Sequence, residues 1–219
     1  MLQDNLAAAA QKAQYWDEYY KRPLNAAVPS QFAAFVAQEL PSDATILEIG
    51  CGTGRDSFFF ARQGWRVFAF DGSHSAIKGC DDLKLQLGVV QPHFRCAAVG
   101  TPEFTSEIAT VVEDNQTPIV VYARFFVHAI TDAEEDELLT VLAKYLRPGD
   151  KFAVEFRTRR DAAGEKVTAD HYRRYVNPQA LFARAGRLGF AIDYAVEGYG
   201  FAKYKQDDAY VSRSIWVKE

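Results

Sequence analysis

The chain has 219 residues, 48% of them hydrophobic, and a formal net charge of −4. That length suits one domain with a lid, burying roughly 70% of the unfolded surface without a metal or disulfide staple, and the acidic balance argues against a general nucleic-acid or membrane-surface binder. The three cysteines, Cys51, Cys80 and Cys96, form no C-x-x-C pair, and no run of 18 apolar residues occurs, so the chain reads as a cytoplasmic protein with reduced thiols, no leader and no membrane insertion.

Residues 2–22 are rich in Ala, Gln and aromatics and predict a helix. Tyr15, Trp16, Tyr19 and Tyr20 share one broad face of it. That face either packs on the core or forms a lid that brings a tyrosine hydroxyl to a ligand. Pro23 and Pro29 break the helix. Ser30 can N-cap a second helix over Gln31–Leu40, which Pro41-Ser42 ends. Residues 1–42 are thus expected as a helical lid and 43–219 as the main domain.

Thr45-Ile46-Leu47-Glu48-Ile49 reads as a strand. Gly50-Cys51-Gly52-Thr53-Gly54 follows as a turn that a ligand can lie against, and a helix over 57–62 closes at Gly64. Arg66–Phe70 is a second strand ending at Asp71-Gly72-Ser73. An acid at this place, about 20 residues past a glycine turn, suits the vicinal hydroxyls of a ribose. Asp71 can instead N-cap the next helix, Ser75 to about Leu87, as can Ser73. His93–Ala98 is a third strand. Residues 118–123 are a nearly unbroken apolar run, as a central parallel strand should be. Thr131 or Asp132 can cap the helix that runs to Leu146. Lys151–Phe156 is a fifth strand, and Phe190–Val196 with Tyr210–Val217 reads as an antiparallel hairpin. The sum is an α/β fold, a seven-stranded doubly wound sheet with helices on both faces.

The glycine turn fails the nicotinamide spacing G-x-G-x-x-G, since Arg55 stands at the third glycine. It fits E-x-G-x-G-x-G from Glu48, which resembles the first motif of class I S-adenosylmethionine-dependent methyltransferases. The resemblance implies that Glu48, Gly50, Cys51 and Gly52 face the methionine part of the cofactor and Asp71, Gly72 and Ser73 its ribose. Arg55, Arg124, Tyr15 and Tyr20 are candidates for the cofactor carboxylate. In that family an acid after the third strand holds the adenine amino group. Here Ala98-Val99-Gly100 stands in its place, and a backbone carbonyl, Thr101 or Glu103 is expected as the substitute. The strings around Arg55-Asp56-Ser57, Asp71-x-Ser73, Arg124-Phe125-Phe126-x-His128, Glu155-Phe156-Arg157-Thr158 and His171–Tyr175 are similar to methyltransferase modules of bacterial surface-polysaccharide synthesis, including chain-terminating enzymes that methylate a terminal sugar phosphate.

Methyl transfer from a sulfonium is an in-line displacement in which positioning supplies most of the acceleration. A hydroxyl acceptor needs a general base, for which His128 and His171 are candidates. An anionic acceptor needs cations, and Arg157, Arg173 and Arg174 lie in a locally basic segment after the fifth strand. For all five the alternative is a structural or solvated role. The resulting expectation is O-methylation of a small or saccharide-linked acceptor, phosphate, carboxylate or hydroxyl, without a metal. Competing readings are a nucleic-acid methyltransferase, for which no basic stripe with interleaved aromatics is present, and a non-catalytic cofactor-binding regulatory protein. Acceptor and oligomeric state stay open.

Overall fold

The computed structural model describes residues 2–21, 28–162, 172–204 and 206–219, with the backbone alone over 2–10. Pro23 and His171 lie outside the described residues. In chain order the elements are α1 (Leu2–Tyr19), α2 (Gln31–Glu39), β1 (Thr45–Ile49), α3 (Arg55–Arg62), β2 (Arg66–Asp71), α4 (His74–Leu87), β3 (His93–Cys96), α5 (Pro102–Asp114), β4 (Ile119–Arg124), α6 (Asp132–Tyr145), β5 (Lys151–Arg157), α7 (Pro178–Arg187), β6 (Phe190–Tyr204) and β7 (Asp207–Lys218). Short 3-10 turns occupy Val127–Ala129 and Arg159–Asp161.

The seven strands form one sheet in the order β3-β2-β1-β4-β5-β7-β6. β1 to β5 pair in parallel, and β7 is antiparallel to both β5 and β6. The period-2 alternation of a strand divides its side chains between two apolar layers. Leu47, Ile49, Val121, Phe152, Val154 and Trp216 pack with Phe104, Leu138, Leu142 and Leu181 of α5, α6 and α7. Ile46, Tyr122, Ala153 and Ile215 pack on the other side with Phe32, Val36, Phe58, Phe60 and Ile77 of α2, α3 and α4. The sheet is therefore covered on both faces, which is why its parallel strands read as continuous apolar runs.

Local caps set the helix starts. Ser30 Oγ accepts from Ala33 N at 2.9 Å and caps α2. Ser73 Oγ accepts from Ala76 N at 3.1 Å and caps α4, leaving the Asp71 carboxylate for the turn. Thr131 and Glu134 form a capping box at α6. The hairpin strands are longer than the sequence predicts. Register shifts at Ile192/Tyr194 and Gly198/Ala202 absorb unpaired residues, and pairing continues to Tyr204 and Asp207. β1 lies between β2 and β4, so the chain reverses direction across the sheet beside it. In such sheets a crevice opens at this point, outside the carboxyl ends of the strands.

Candidate active site

The turn after β1 runs through left-handed backbone, with φ of +74° at Gly50 and +51° at Gly52. A Cβ at Gly50 would sit 2.3 Å from Phe126 Cδ2, and one at Gly52 would sit 2.5 Å from the Tyr20 hydroxyl. Both positions therefore require glycine twice over, for conformation and for space. Gly52 N donates to Asp71 Oδ2 and Ser73 N to Asp71 Oδ1, each at 2.9 Å. The carboxylate at the end of β2 is thus tied through Oδ2 to the turn after β1 and through Oδ1 to its own loop after β2, and its remaining lone pairs stay available. Burial pushes the Asp71 carboxyl up, against the pull of the Ser73, Gly52 and Gly72 amides.

Beneath the turn, Glu48 is buried and accepts from the Ser57 hydroxyl. Burial, followed by the nearby Asp56 charge, raises its carboxyl well above the ordinary value. Asp56 is buried as well. It accepts from Ser30 N at 2.8 Å, Ser30 Oγ at 2.7 Å, Tyr122 Oη at 2.9 Å and Arg55 Nε at 3.1 Å. Burial alone would raise its carboxyl, but the Arg55 charge and the Ser30 bonds outweigh it and hold it below the ordinary value. This network fixes Arg55 at the head of α3.

At the end of β4, Arg124 Nε pairs with buried Glu155 Oε1 at 2.8 Å, and Glu155 also binds Arg213. Phe125 has φ +54°, an outlier for a bulky residue. Its ring lies 4.3 Å from the Arg124 guanidinium, 5.3 Å from that of Arg157, and edge-on to His128 at 5.3 Å. α1 lies across the site. Lys12 Nζ reaches Glu134 Oε1 and Oε2 at 2.7 and 2.6 Å, and Asp17 Oδ1 accepts from Ser73 Oγ at 3.1 Å and Ser75 N at 2.9 Å.

These elements enclose a cavity of about 530 Å³, inside the usual range for small-molecule sites. Eleven of the residues expected to bind the cofactor line it, namely Tyr20, Glu48, Gly50, Cys51, Gly52, Arg55, Asp71, Gly72, Ser73, Ala98 and Arg124, whereas Tyr15 does not. Thr101 lines it as well, its hydroxyl donating to Ala98 O at 2.7 Å, whereas Glu103 is exposed and outside the wall. Trp16 and Tyr19, on the aromatic face expected as a lid, line it too, while the sequence pattern assigns no role there to Lys12, Glu134, Phe125 or Phe126, which also line it. The capping box that names Glu134 was readable, but its second partner, Lys12, is 122 residues away.

The residues expected to act on the acceptor are placed differently. Arg157 is 5% exposed and its guanidinium bridges Asp161 at 2.6 Å and Asp207 at 2.5 Å. Arg174 binds Asp132, Glu135 and the carbonyls of Ile130 and Val127. Both cations are taken up by internal carboxylates, because a buried guanidinium needs partners for its fork of donors. His128 is buried, and its Nδ1 accepts from Arg157 N at 3.1 Å. Neither these three residues nor Arg173 line the cavity. Of the residues expected to hold an anionic acceptor, Arg157 and Arg174 are thus engaged by carboxylates of the chain itself.

The cavity fits S-adenosylmethionine on its own chemistry. It offers a carboxylate with free lone pairs for a diol, a turn whose glycines at 50 and 52 carry no side chain of their own, and two guanidinium-bearing residues for a carboxylate.

A family model described as a methyltransferase domain matches residues 16–195. Phosphoethanolamine N-methyltransferase 1 of Triticum aestivum is 31% identical over 141 residues, 61% of this chain and 26% of that protein. The cypemycin N-terminal methyltransferase of a Streptomyces species is 32% identical over 119 residues, 53% of this chain and 43% of that protein. The chain thus spans between a quarter and a half of the length of these two relatives. Among solved structures, the glycopeptide N-methyltransferase MtfA complexed with S-adenosylhomocysteine superposes with a TM-score of 0.65 at 16% identity, covering 90% of this chain and 92% of that one. The chain belongs to the methyltransferase-domain family and has the fold and cofactor of the class I S-adenosylmethionine-dependent methyltransferases.

Proposed function

We propose that this domain transfers a methyl group from S-adenosylmethionine to an amine of a small molecule or peptide. The observation that carries the reading is the convergence on one cavity of the Asp71 carboxylate and the turn at 50–52, whose two glycines carry no side chain. Bound S-adenosylmethionine supplies an electrophilic methyl carbon on a sulfonium. Asp71 would hold the ribose, and Arg55 and Arg124 the amino-acid carboxylate. Trp16, Tyr19, Tyr20, Phe125 and Phe126 give the cavity an aromatic lining, and aromatic faces attract both a sulfonium and an ammonium.

Two observations favour nitrogen over the phosphate or carboxylate expected from the basic segment. The relatives described above are, by name, N-methyltransferases or an N-terminal methyltransferase. The guanidinium groups of Arg157 and Arg174 are engaged internally. A neutral amine is itself the nucleophile, so the chain needs only to align it and release its proton to water.

The test is calorimetry with S-adenosylhomocysteine, followed by a hydrolase-coupled turnover assay on amines, hydroxyl compounds and sugar phosphates. The reading expects binding and turnover on at least one amine. Binding with turnover only on hydroxyls or phosphates would reject the amine; no binding by folded protein would reject the cofactor assignment.

A further inference from the structure

With the ribose on Asp71 and the amino-acid part against the β1 turn, the base is left with the β3 side of the cavity. The loop after β3 offers few polar side chains there. Ala97, Ala98 and Val99 line the wall, and the Ala98 carbonyl already accepts from Thr101. Glu134 enters from α6 beside this loop, its Cγ 3.8 Å from where a Cβ on Gly100 would lie. Lys12 enters from α1 and pairs with it, their side chains 13% and 23% exposed.

The bonding of this pair leaves a defined edge. Glu134 Oε2 takes Thr131 N at 2.7 Å, Thr131 Oγ1 at 2.9 Å and Lys12 Nζ at 2.6 Å, while Oε1 takes Lys12 alone at 2.7 Å. A carboxylate oxygen has two lone pairs, so Oε1 keeps one. Lys12 spends two of its three ammonium hydrogens on Glu134 and keeps one. The wall thus presents an acceptor next to a donor. Burial would raise the Glu134 carboxyl, but the Lys12 and Thr131 bonds outweigh it and hold it below its ordinary value, so it is the ionised acceptor.

Resting on the cofactor reading above, we propose that Glu134 and Lys12 together read the nucleoside base: Glu134 Oε1 accepts from the exocyclic amino group of adenine, and the Lys12 ammonium donates to the adjacent ring nitrogen. The acid sits on α6 and the cation on α1. Base recognition is therefore tied to the position of the lid helix, and a base that fits Glu134 also holds α1 across the cavity.

The experiment compares S-adenosylhomocysteine with S-inosylhomocysteine by calorimetry. Inosine carries a carbonyl and a ring N–H where adenine carries an amino group and a bare ring nitrogen, so it reverses the pattern. Wild type should prefer the adenosyl compound by roughly ten- to a hundredfold, the effect of leaving buried polar groups unpaired. Glu134→Gln keeps the capping box, which accepts Gln as well as Glu, and turns an amide donor toward the base. Its preference should fall to near unity or invert. Lys12→Met, on the lid and away from the core, should weaken the adenosyl compound and narrow the ratio. An adenosyl preference unchanged in both variants overturns the assignment while leaving the cofactor reading intact. Failure of wild type to bind S-adenosylhomocysteine overturns the cofactor reading and this inference with it.

Discussion

Asp56 offers the sharpest test of how the site is built. Its carboxylate is 4% exposed and joins three elements: the head of α2 through Ser30, the middle of β4 through Tyr122, and the head of α3 through Arg55. Asp56→Ala removes the acceptor for all of them. Tyr122 Oη can fall back on Ser30 Oγ at 3.1 Å, and Arg55, whose side chain is 27% exposed, can turn to water. The buried Ser30 N–H is left with neither. One orphaned buried donor costs about 1–3 kcal/mol, and breaking a buried ion pair about 3–5 kcal/mol. With Arg55 partly solvated, the expected loss is about 3 kcal/mol. Asp56→Asn keeps one oxygen for Ser30 N, and the two hydroxyls can reverse to accept from its amide, so its loss should be about 1 kcal/mol. Urea melts at pH 7 with an unchanged slope would measure both as shifts in midpoint. Because the folded-state pKa of Asp56 is lowered, the stability it contributes is present above the unfolded carboxyl pKa and lost as pH falls through the folded one. The gap between wild type and Asp56→Asn should therefore close on acidification below the ordinary value of 3.8. The alanine variant should also bind S-adenosylhomocysteine more weakly, since Arg55 loses its anchor. An alanine variant within 0.5 kcal/mol of wild type would refute this account of the network.

Gly50→Ala places a Cβ 2.3 Å from Phe126 Cδ2 at φ +74°; left-handed backbone alone costs roughly 1–2 kcal/mol, so a drop of at least that size in a thermal or urea melt, with loss of S-adenosylhomocysteine binding, is expected, and an unchanged melt and affinity would count against the cradle. Glu48 is raised well above its ordinary 4.5, so the folded state holds its proton longer than the unfolded chain, and that stability is present below 4.5 and lost as pH rises through the folded value. Glu48→Gln does not titrate, so urea melts from pH 4 to 8 should show the variant gaining on wild type as pH rises, and a constant gap would contradict the assignment. Arg157→Met leaves the carboxylates of Asp161 and Asp207 buried without their cation and should cost about 3–5 kcal/mol, with Arg157→Lys recovering part of it. A stable Met variant with a raised acceptor KM would instead return Arg157 to the acceptor.

What the chain reveals by itself is what depends on near neighbours. The strand, glycine turn and acid at 45–71 are local patterns, and so are the Ser30 and Thr131 caps; each follows from backbone geometry over a few residues. Even the rivalry between Asp71 and Ser73 at the head of α4 resolves locally, because the serine hydroxyl takes the Ala76 amide and leaves the acid to Gly52. The hairpin runs past its predicted ends because the alternation stops at Val196, whereas the pairing with β7 resumes beyond an irregularity between Gly198 and Ala202. The arginines at and after the end of β5 show what a local reading leaves out. Their number suggested a cationic surface for an anionic acceptor, yet a count of charges says nothing of which are desolvated together. Asp161 stands four residues from Arg157, a helix-like spacing visible in the sequence, but Asp207 lies 50 residues on, and Arg174 reaches back 42 and 39 residues to Asp132 and Glu135. In an acidic chain each arginine that folding buries has a carboxylate within reach, and desolvation makes that pairing nearly obligatory. A basic stretch leaving the ligand side of a sheet is thus as readily a set of ties that hold the wall as a set of groups that face through it. The Lys12–Glu134 pair makes the converse point: two unremarkable charges, 122 residues apart, meet at the cavity itself.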